Sequence, residues 1–184
     1  MKRGFLYALL AGILGLPAEA ALKDGALAPM FTTQASLGGK EFTFTLADAL
    51  KSGPVVLYFY PKAFTSGCTV EAHDFAAATD EFKALGASVI GISNDDIATL
   101  NKFSVSECQS KFPVAADTDH AIMKAYDAVL FMTWYADRTS YVIAPDGKII
   151  YRYSALNPAK HVANTMAAVK AWSEKAGRDA HPVQ

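Results

Sequence analysis

The sequence is poor in the features that announce most redox, metal and nucleic-acid chemistries. It holds only two cysteines, Cys68 and Cys108, far apart in the chain. Neither the Cys-x-x-Cys of a dithiol redox helix nor a paired-cysteine zinc framework can therefore form. Cys-x-x-x-Cys, as an exported copper carrier would use, is also absent, because residue 72 is alanine. The four histidines, His73, His120, His161 and His181, are scattered with no metal-ligand spacing. No metal or cofactor is expected. Charge is sparse and balanced, with 17 basic and 18 acidic residues and a net charge of −1. With no block of like charges, nucleic acid is not an expected partner.

Long apolar runs are equally scarce. The one candidate, Phe5–Leu16, is twelve residues long, short for a membrane span and suited to the apolar core of a secretory signal. Lys2 and Arg3 precede it, and Ala18-Glu19-Ala20 places small residues at the cleavage positions. Residues 1–20 are thus expected to be a cleaved signal, the alternative being an uncleaved anchor. No cysteine follows the run, which excludes lipid attachment there. After cleavage no membrane contact is expected, and export to a bacterial periplasm follows. The remaining 164 residues carry a net charge of −2 and suffice for one well-packed domain, expected over 21–176 with a loose tail at 177–184.

What is present is an alternation of strand and helix signals. Gly38-Gly39 lies between short apolar alternations and predicts a hairpin. Val55–Tyr60 is a continuous apolar run bounded by Pro54 and Pro61, the mark of a buried strand. From Cys68 to Leu85 the spacing turns helical, with Phe75, Ala78, Phe82 and Leu85 in phase and Gly86 as the stop. Ala87–Ile92 predicts a second strand, and Asp95 or Asp96 can cap a helix carrying Ile97, Leu100 and Phe103. A short strand over Phe112–Ala115 and a short helix ending near Tyr126 follow. Thr139–Ala144 and Lys148–Tyr153 pair around the turn Pro145-Asp146-Gly147. Asn157-Pro158 opens a last helix with Val162, Met166, Val169 and Trp172 on one face and Gly177 at its end. The order implies an α/β fold of thioredoxin type: a central mixed sheet, helices on both faces and an N-terminal hairpin extension.

The segment Tyr58 to Glu71 carries the chemistry. A strand ends at Pro61, and seven residues later Cys68 opens a helix. Free backbone N–H groups and the positive end of a helix dipole there favour a thiolate, the reactive form of cysteine.

Pro61-x-x-x-Thr65-x-x-Cys68, with Phe59-Tyr60-Pro61-Lys62 before it and Gly67-Cys68-Thr69-x-Glu71 after it, resembles the active-site signature of the peroxiredoxins. Ala28-Pro29-x-Phe31, Phe112-Pro113-Val114 with Asp117, and Arg138-Thr139-Ser140-Tyr141-Val142-Ile143 with Pro145-Asp146-Gly147 are similar to further elements of that family. The nearest group is the bacterioferritin-comigratory, PrxQ-like branch. The resemblance implies a thiol peroxidase that reduces hydrogen peroxide and organic hydroperoxides through a sulfenic acid on Cys68. It implies that Arg138 sits beside the sulfur and that Thr65 hydrogen-bonds both thiolate and peroxide. Pro61 would shield the pocket, and the N–H groups of Gly67 and Cys68 would bind oxygen as it becomes anionic. Glu71, one turn after Cys68, is expected to pair with Arg138 or Arg152. The implied reductant is a thioredoxin-like protein or another thiol, and the implied assembly a monomer or weak dimer.

Many members of the branch carry a second cysteine five residues after the first, where this chain has His73. Cys108, on the following helix, is the remaining candidate for a resolving cysteine. Alternatives are an inert buried thiol at Cys108 with a one-cysteine enzyme recycled by an outside thiol, or a thioredoxin-fold thiol or binding protein without peroxidase activity. His73 itself is expected to be a solvated helix histidine.

Overall fold

The computed structural model describes residues 22–180. The expected signal segment 1–20 and the last four residues lie outside that range. Seven strands run in the order β1 Thr32–Leu37, β2 Lys40–Thr45, β3 Val55–Phe59, β4 Ser88–Ser93, β5 Val114–Ala116, β6 Thr139–Ile143 and β7 Ile149–Ser154. Helices α1 Leu46–Leu50, α2 Ser66–Ala84, α3 Ile97–Ser106, α4 Ala121–Ala125 and α5 His161–Ala180 are interleaved with them. The strands form one sheet in the order β2-β1-β5-β4-β3-β6-β7. β3 and β4, and β4 and β5, pair in parallel. The pairs β3–β6, β6–β7, β1–β5 and β1–β2 are antiparallel. The sheet is mixed and α/β, as the strand and helix order implied.

Strand β3 shows why helices must cover both faces. All five of its residues are buried, and the two-residue period splits them between two cores. Val56, Tyr58 and the following Tyr60 join Phe75 and Phe82 of α2, Leu100 and Phe103 of α3, and Met166 and Val169 of α5. Val55, Leu57 and Phe59 join Leu46 and Leu50 of α1 and Ile122 and Met123 of α4. Tyr58 stacks on Phe75 with ring centroids 4.4 Å apart, and Phe75 in turn packs against Phe82 and Phe112. Each such side chain, once fully buried, stabilises the fold by about 1.5–3 kcal/mol. The aromatic column therefore fixes α2 on the sheet.

Chain ends of the elements follow local chemistry. Gly86 adopts φ +75°, and the N–H groups of Gly86 and Ala87 close on the carbonyls of Lys83 and Phe82 to stop α2. Asp96, not Asp95, caps α3 through the N–H of Thr99 at 2.7 Å. Asn157 accepts from the N–H of Ala159 and opens a 3₁₀ turn, Pro158–Lys160, ahead of α5. Two features depart from the reading of the sequence. α1 fills a stretch left unassigned there. α5 also runs through Gly177 to Ala180, so helix replaces the first part of the expected loose tail. Gly177 is not in the left-handed region. A helical glycine in ordinary geometry costs only about 1 kcal/mol relative to alanine and does not by itself end a helix.

Candidate active site

Three pieces of chain meet at the carboxyl end of β3. The loop from Pro61 to Thr65 leaves that end and turns into α2, whose third residue is Cys68. Arg138 arrives from the opposite direction. Antiparallel pairing sets Phe59 opposite Thr139, so the residue just before β6 stands beside the loop. The loop is tied down by Asp95, whose carboxylate accepts from the Ala63 N–H at 2.7 Å and from the Ser93 hydroxyl at 2.8 Å. Asp95 entered the sequence reading only as a possible helix cap; its partner Ala63 is distant in sequence and gave no local signal.

Cys68 is 1% exposed. Arg138 donates from Nη2 to its Sγ at 3.4 Å, from Nη1 to Oε2 of Glu71, and from Nε to the Leu156 carbonyl at 2.8 Å. The guanidinium is thus held at three points: the sulfur, the Glu71 carboxyl and the Leu156 carbonyl. Glu71 pairs with Arg138, not Arg152; the latter donates to the Tyr141 hydroxyl. The first N–H groups of α2 have no partner within the helix. With the positive end of the helix dipole they favour negative charge at this end of α2. Gly67 lets the guanidinium approach: a Cβ there would lie 3.2 Å from Arg138 Nη2.

The carboxyl of Glu71 is fully buried. Burial raises its pKa to about 8, against the pull of the Arg138 charge. Burial works against the guanidinium charge too, yet Glu71 and Cys68 outweigh it and hold Arg138 above its ordinary value. The second oxygen of Glu71 makes no hydrogen bond and lies 3.7 Å from Nδ1 of His161. His161 is fully buried as well. Its Nε2 lies 2.8 Å from the Ala155 carbonyl and its Nδ1 2.8 Å from the Ser140 hydroxyl. A carbonyl only accepts, so the Nε2 proton is fixed there and Nδ1 accepts from Ser140. Burial, reinforced by the Arg138 charge, lowers the pKa of His161. The sequence offered no reason to join His161 to this cluster; only the docking of α5 on β6 does so.

Thr65 and Pro61 border the same loop, with Thr65 exposed and Pro61 half-buried. The Thr65 hydroxyl donates to the Lys62 carbonyl at 3.0 Å, and not to Cys68 as expected, because its side chain faces back over the loop. Cys108 lies two residues past α3, fully buried in the core cluster that also contains Cys68. Both cysteines are free thiols. Burial, and next the charge of Glu107, push the Cys108 thiol well above its usual range. His73 is not simply solvated: its Nε2 lies 3.0 Å from Glu107 Oε2.

A thiol at a helix start with an arginine donating to its sulfur suits nucleophilic attack in which negative charge builds on a departing atom. Known proteins narrow the assignment. The AhpC/TSA family pattern matches residues 25–152. The chain belongs to the AhpC/TSA family. Peroxiredoxin Bcp of Xanthomonas campestris pv. campestris is 31% identical over 127 residues, which is 66% of this chain and 79% of that one. Peroxiredoxin Bcp of Bacillus subtilis is 32% identical over 139 residues, 72% of this chain and 87% of its own. Chloroplastic peroxiredoxin Q of Oryza sativa subsp. japonica is 34% identical over 148 residues, 79% of this chain and 65% of that protein. Among solved structures, peroxidoxin BcpB from Mycobacterium tuberculosis superposes with a TM-score of 0.74 at 28% identity, covering 82% of this chain and 97% of its own. The bacterioferritin comigratory protein of Xanthomonas campestris, whose structure addresses alkyl peroxide reduction, gives 0.68 at 30% identity over 76% and 91%. This peroxiredoxin is therefore a peroxidase, an oxidoreductase of the Bcp/PrxQ branch with the thioredoxin-like fold of that group.

Proposed function

We propose that this peroxiredoxin reduces hydrogen peroxide and organic hydroperoxides in a two-cysteine cycle run by Cys68 and Cys108. The observation that carries the proposal is the Arg138 donor on the Cys68 sulfur at the start of α2. The Cys68 thiolate attacks one peroxide oxygen, and the O–O bond breaks. Sulfur is oxidised to sulfenic acid while the departing oxygen takes a proton and leaves as water or alcohol. Arg138 and the N–H groups of Gly67 and Cys68 offset the charge that builds on oxygen. Glu71 holds the guanidinium in place. Pro61 and Thr65 border the approach, and Thr65 turns its hydroxyl from Lys62 to the bound peroxide. Cys108 then attacks the sulfenic sulfur; water leaves and an intramolecular disulfide remains. A thioredoxin-like protein or another thiol reduces it. The enzyme works as a monomer or weak dimer, in a bacterial periplasm if residues 1–20 act as the signal their pattern implies.

The deep burial of Cys108 favours one rival reading. A neutral thiol in the core is a poor nucleophile, and an outside thiol would then recycle Cys68 directly. Peptide mass mapping after one equivalent of hydrogen peroxide separates the two. A Cys68–Cys108 bridge supports the two-cysteine cycle. Persistent sulfenic acid on Cys68 beside a free Cys108 overturns it in favour of the one-cysteine enzyme.

A further inference from the structure

The turn that carries Cys108 is fastened to α2 at two points, one on each side of the cysteine. Before it, Glu107 Oε2 lies 3.0 Å from His73 Nε2. After it, Lys111 Nζ lies 3.0 Å from Asp80 Oδ2. His73 and Asp80 are two helical turns apart on one face of α2, so the fastenings run side by side. Between them the backbone is under strain. Gln109 and Ser110 are consecutive side-chain-bearing residues at φ 51° and 56°, a conformation L-residues avoid unless surrounding contacts impose it. The contacts that impose it are few: the N–H groups of Glu107 and Cys108 on the Phe103 carbonyl, Ser110 N–H on the Ser104 carbonyl, and Lys111 N–H on the Cys108 carbonyl.

We propose that the pairs His73–Glu107 and Asp80–Lys111 form a clasp that holds the Cys108 turn on α2 and sets the rate at which the Cys68–Cys108 disulfide closes. This rests on the reading of Cys108 as the resolving cysteine. Cys108 is fully buried, and a disulfide requires Cα atoms within about 7 Å and matched Cβ directions. The turn is fastened at residues 73 and 80 of α2, roughly 7 and 18 Å along the helix from Cys68, so it must lift from α2 to deliver its sulfur to the start of the same helix. Lifting breaks both fastenings and relaxes Gln109 and Ser110. In the closing step the Cys108 thiol attacks the Cys68 sulfenic sulfur, the S–O bond breaks, and the hydroxyl leaves as water with the thiol proton. While the clasp stays shut the sulfenic acid waits. A second peroxide can then oxidise it to sulfinic acid and be reduced to water or alcohol. His73 and Asp80 are thus positioning residues for the second step, with no part in the first.

The test uses the reduced full chain, hydrogen peroxide, rapid alkylation quenching and intact mass, which time sulfenic acid and disulfide separately. The variants are His73→Ala, Asp80→Ala, their combination, and the charge exchange His73→Glu with Glu107→Lys. Loss of each pair should speed disulfide closure roughly two- to fivefold, leave the first oxidation unchanged, and reduce sulfinic acid on Cys68 under excess peroxide. Raised salt should speed closure in the parent chain and not in the double variant, because it screens exposed pairs. The charge exchange should return closure toward the parent rate, a rescue that a general loosening of α2 would not give. A disulfide that closes in the parent chain at the same rate as, or faster than, in the double variant overturns the clasp. Absence of any Cys68–Cys108 disulfide in the parent chain overturns instead the two-cysteine reading on which it rests.

Discussion

Replacing Arg138 by methionine removes a cation from a site where a carboxyl and a sulfur both depend on it. Arg138 is 5% exposed and Glu71 fully buried, so Arg138→Met leaves Glu71 without its only cationic partner in the pair. Glu71, with its pKa at about 8, keeps its proton at neutral pH, and a buried polar group left without its partner costs about 1–3 kcal/mol. The same change deletes the donor at 3.4 Å from the Cys68 sulfur. A hydrogen bond to a charged group is worth about 1.5–3 kcal/mol. At about 1.4 kcal/mol per factor of ten, that predicts a first oxidation slowed by about ten- to a hundredfold. Stability and rate can be separated. In the double variant Arg138→Met, Glu71→Leu no polar group is left without a partner, and most of the lost stability should return while the rate stays low. Urea unfolding and quenched-flow oxidation by hydrogen peroxide on the parent and the two variants decide the matter. A double variant that regains the parent rate along with its stability would refute the assignment of Arg138 to the sulfur. So would an Arg138→Met enzyme that reacts at the parent rate.

The other predictions divide the site by role. Cys68→Ser should abolish turnover, whereas Cys108→Ser should keep the first oxidation and lose the disulfide; a Cys108→Ser enzyme that turns over normally with a dithiol reductant contradicts the cycle. Gly67→Ala should slow the first step by roughly tenfold, because the new methyl crowds the guanidinium, while helix propensity raises stability by up to about 1 kcal/mol; an unchanged rate would show that the guanidinium gives way freely. Glu71 fixes a pH dependence. Its folded value lies above the ordinary 4.5, at about 8, so the native state holds a proton that the unfolded chain releases. The stability this contributes is full below the ordinary carboxyl range and is lost as pH rises through about 8. Glu71→Gln should flatten that fall in urea titrations, and equal slopes in the two proteins would contradict it.

Much of the fold could be read from local pattern, and the reasons are visible in single residues. The run Val55–Tyr60 is apolar on both faces and bounded by prolines, which leaves a central strand as the only comfortable assignment. Gly86 ends α2 because its left-handed turn lets two N–H groups satisfy the final carbonyls. Gly177 carried the same letter but not the same conformation, and the helix passed through it. The site was legible where the signal was local, as with Cys68 at a helix start. It was illegible where partners meet through the sheet. His161 reaches Glu71 because α5 docks on β6, and Asp95 holds Ala63 because β3 and β4 are neighbours. His73 looked solvated because nothing in its own helix pairs with it. Its partner, Glu107, lies on the chain beyond α3. Thr65 stood at the right spacing, but spacing cannot say which way a hydroxyl turns.

The central claim is that the sulfur of Cys68 is made reactive toward peroxide by its place beside Arg138 at the head of α2. The second-order rate constant of the reduced full chain with hydrogen peroxide, measured at neutral pH beside free cysteine in the same buffer, tests it most directly. The account predicts oxidation orders of magnitude faster than free cysteine, with the oxygen found first on Cys68. A rate no greater than that of the free amino acid would contradict it.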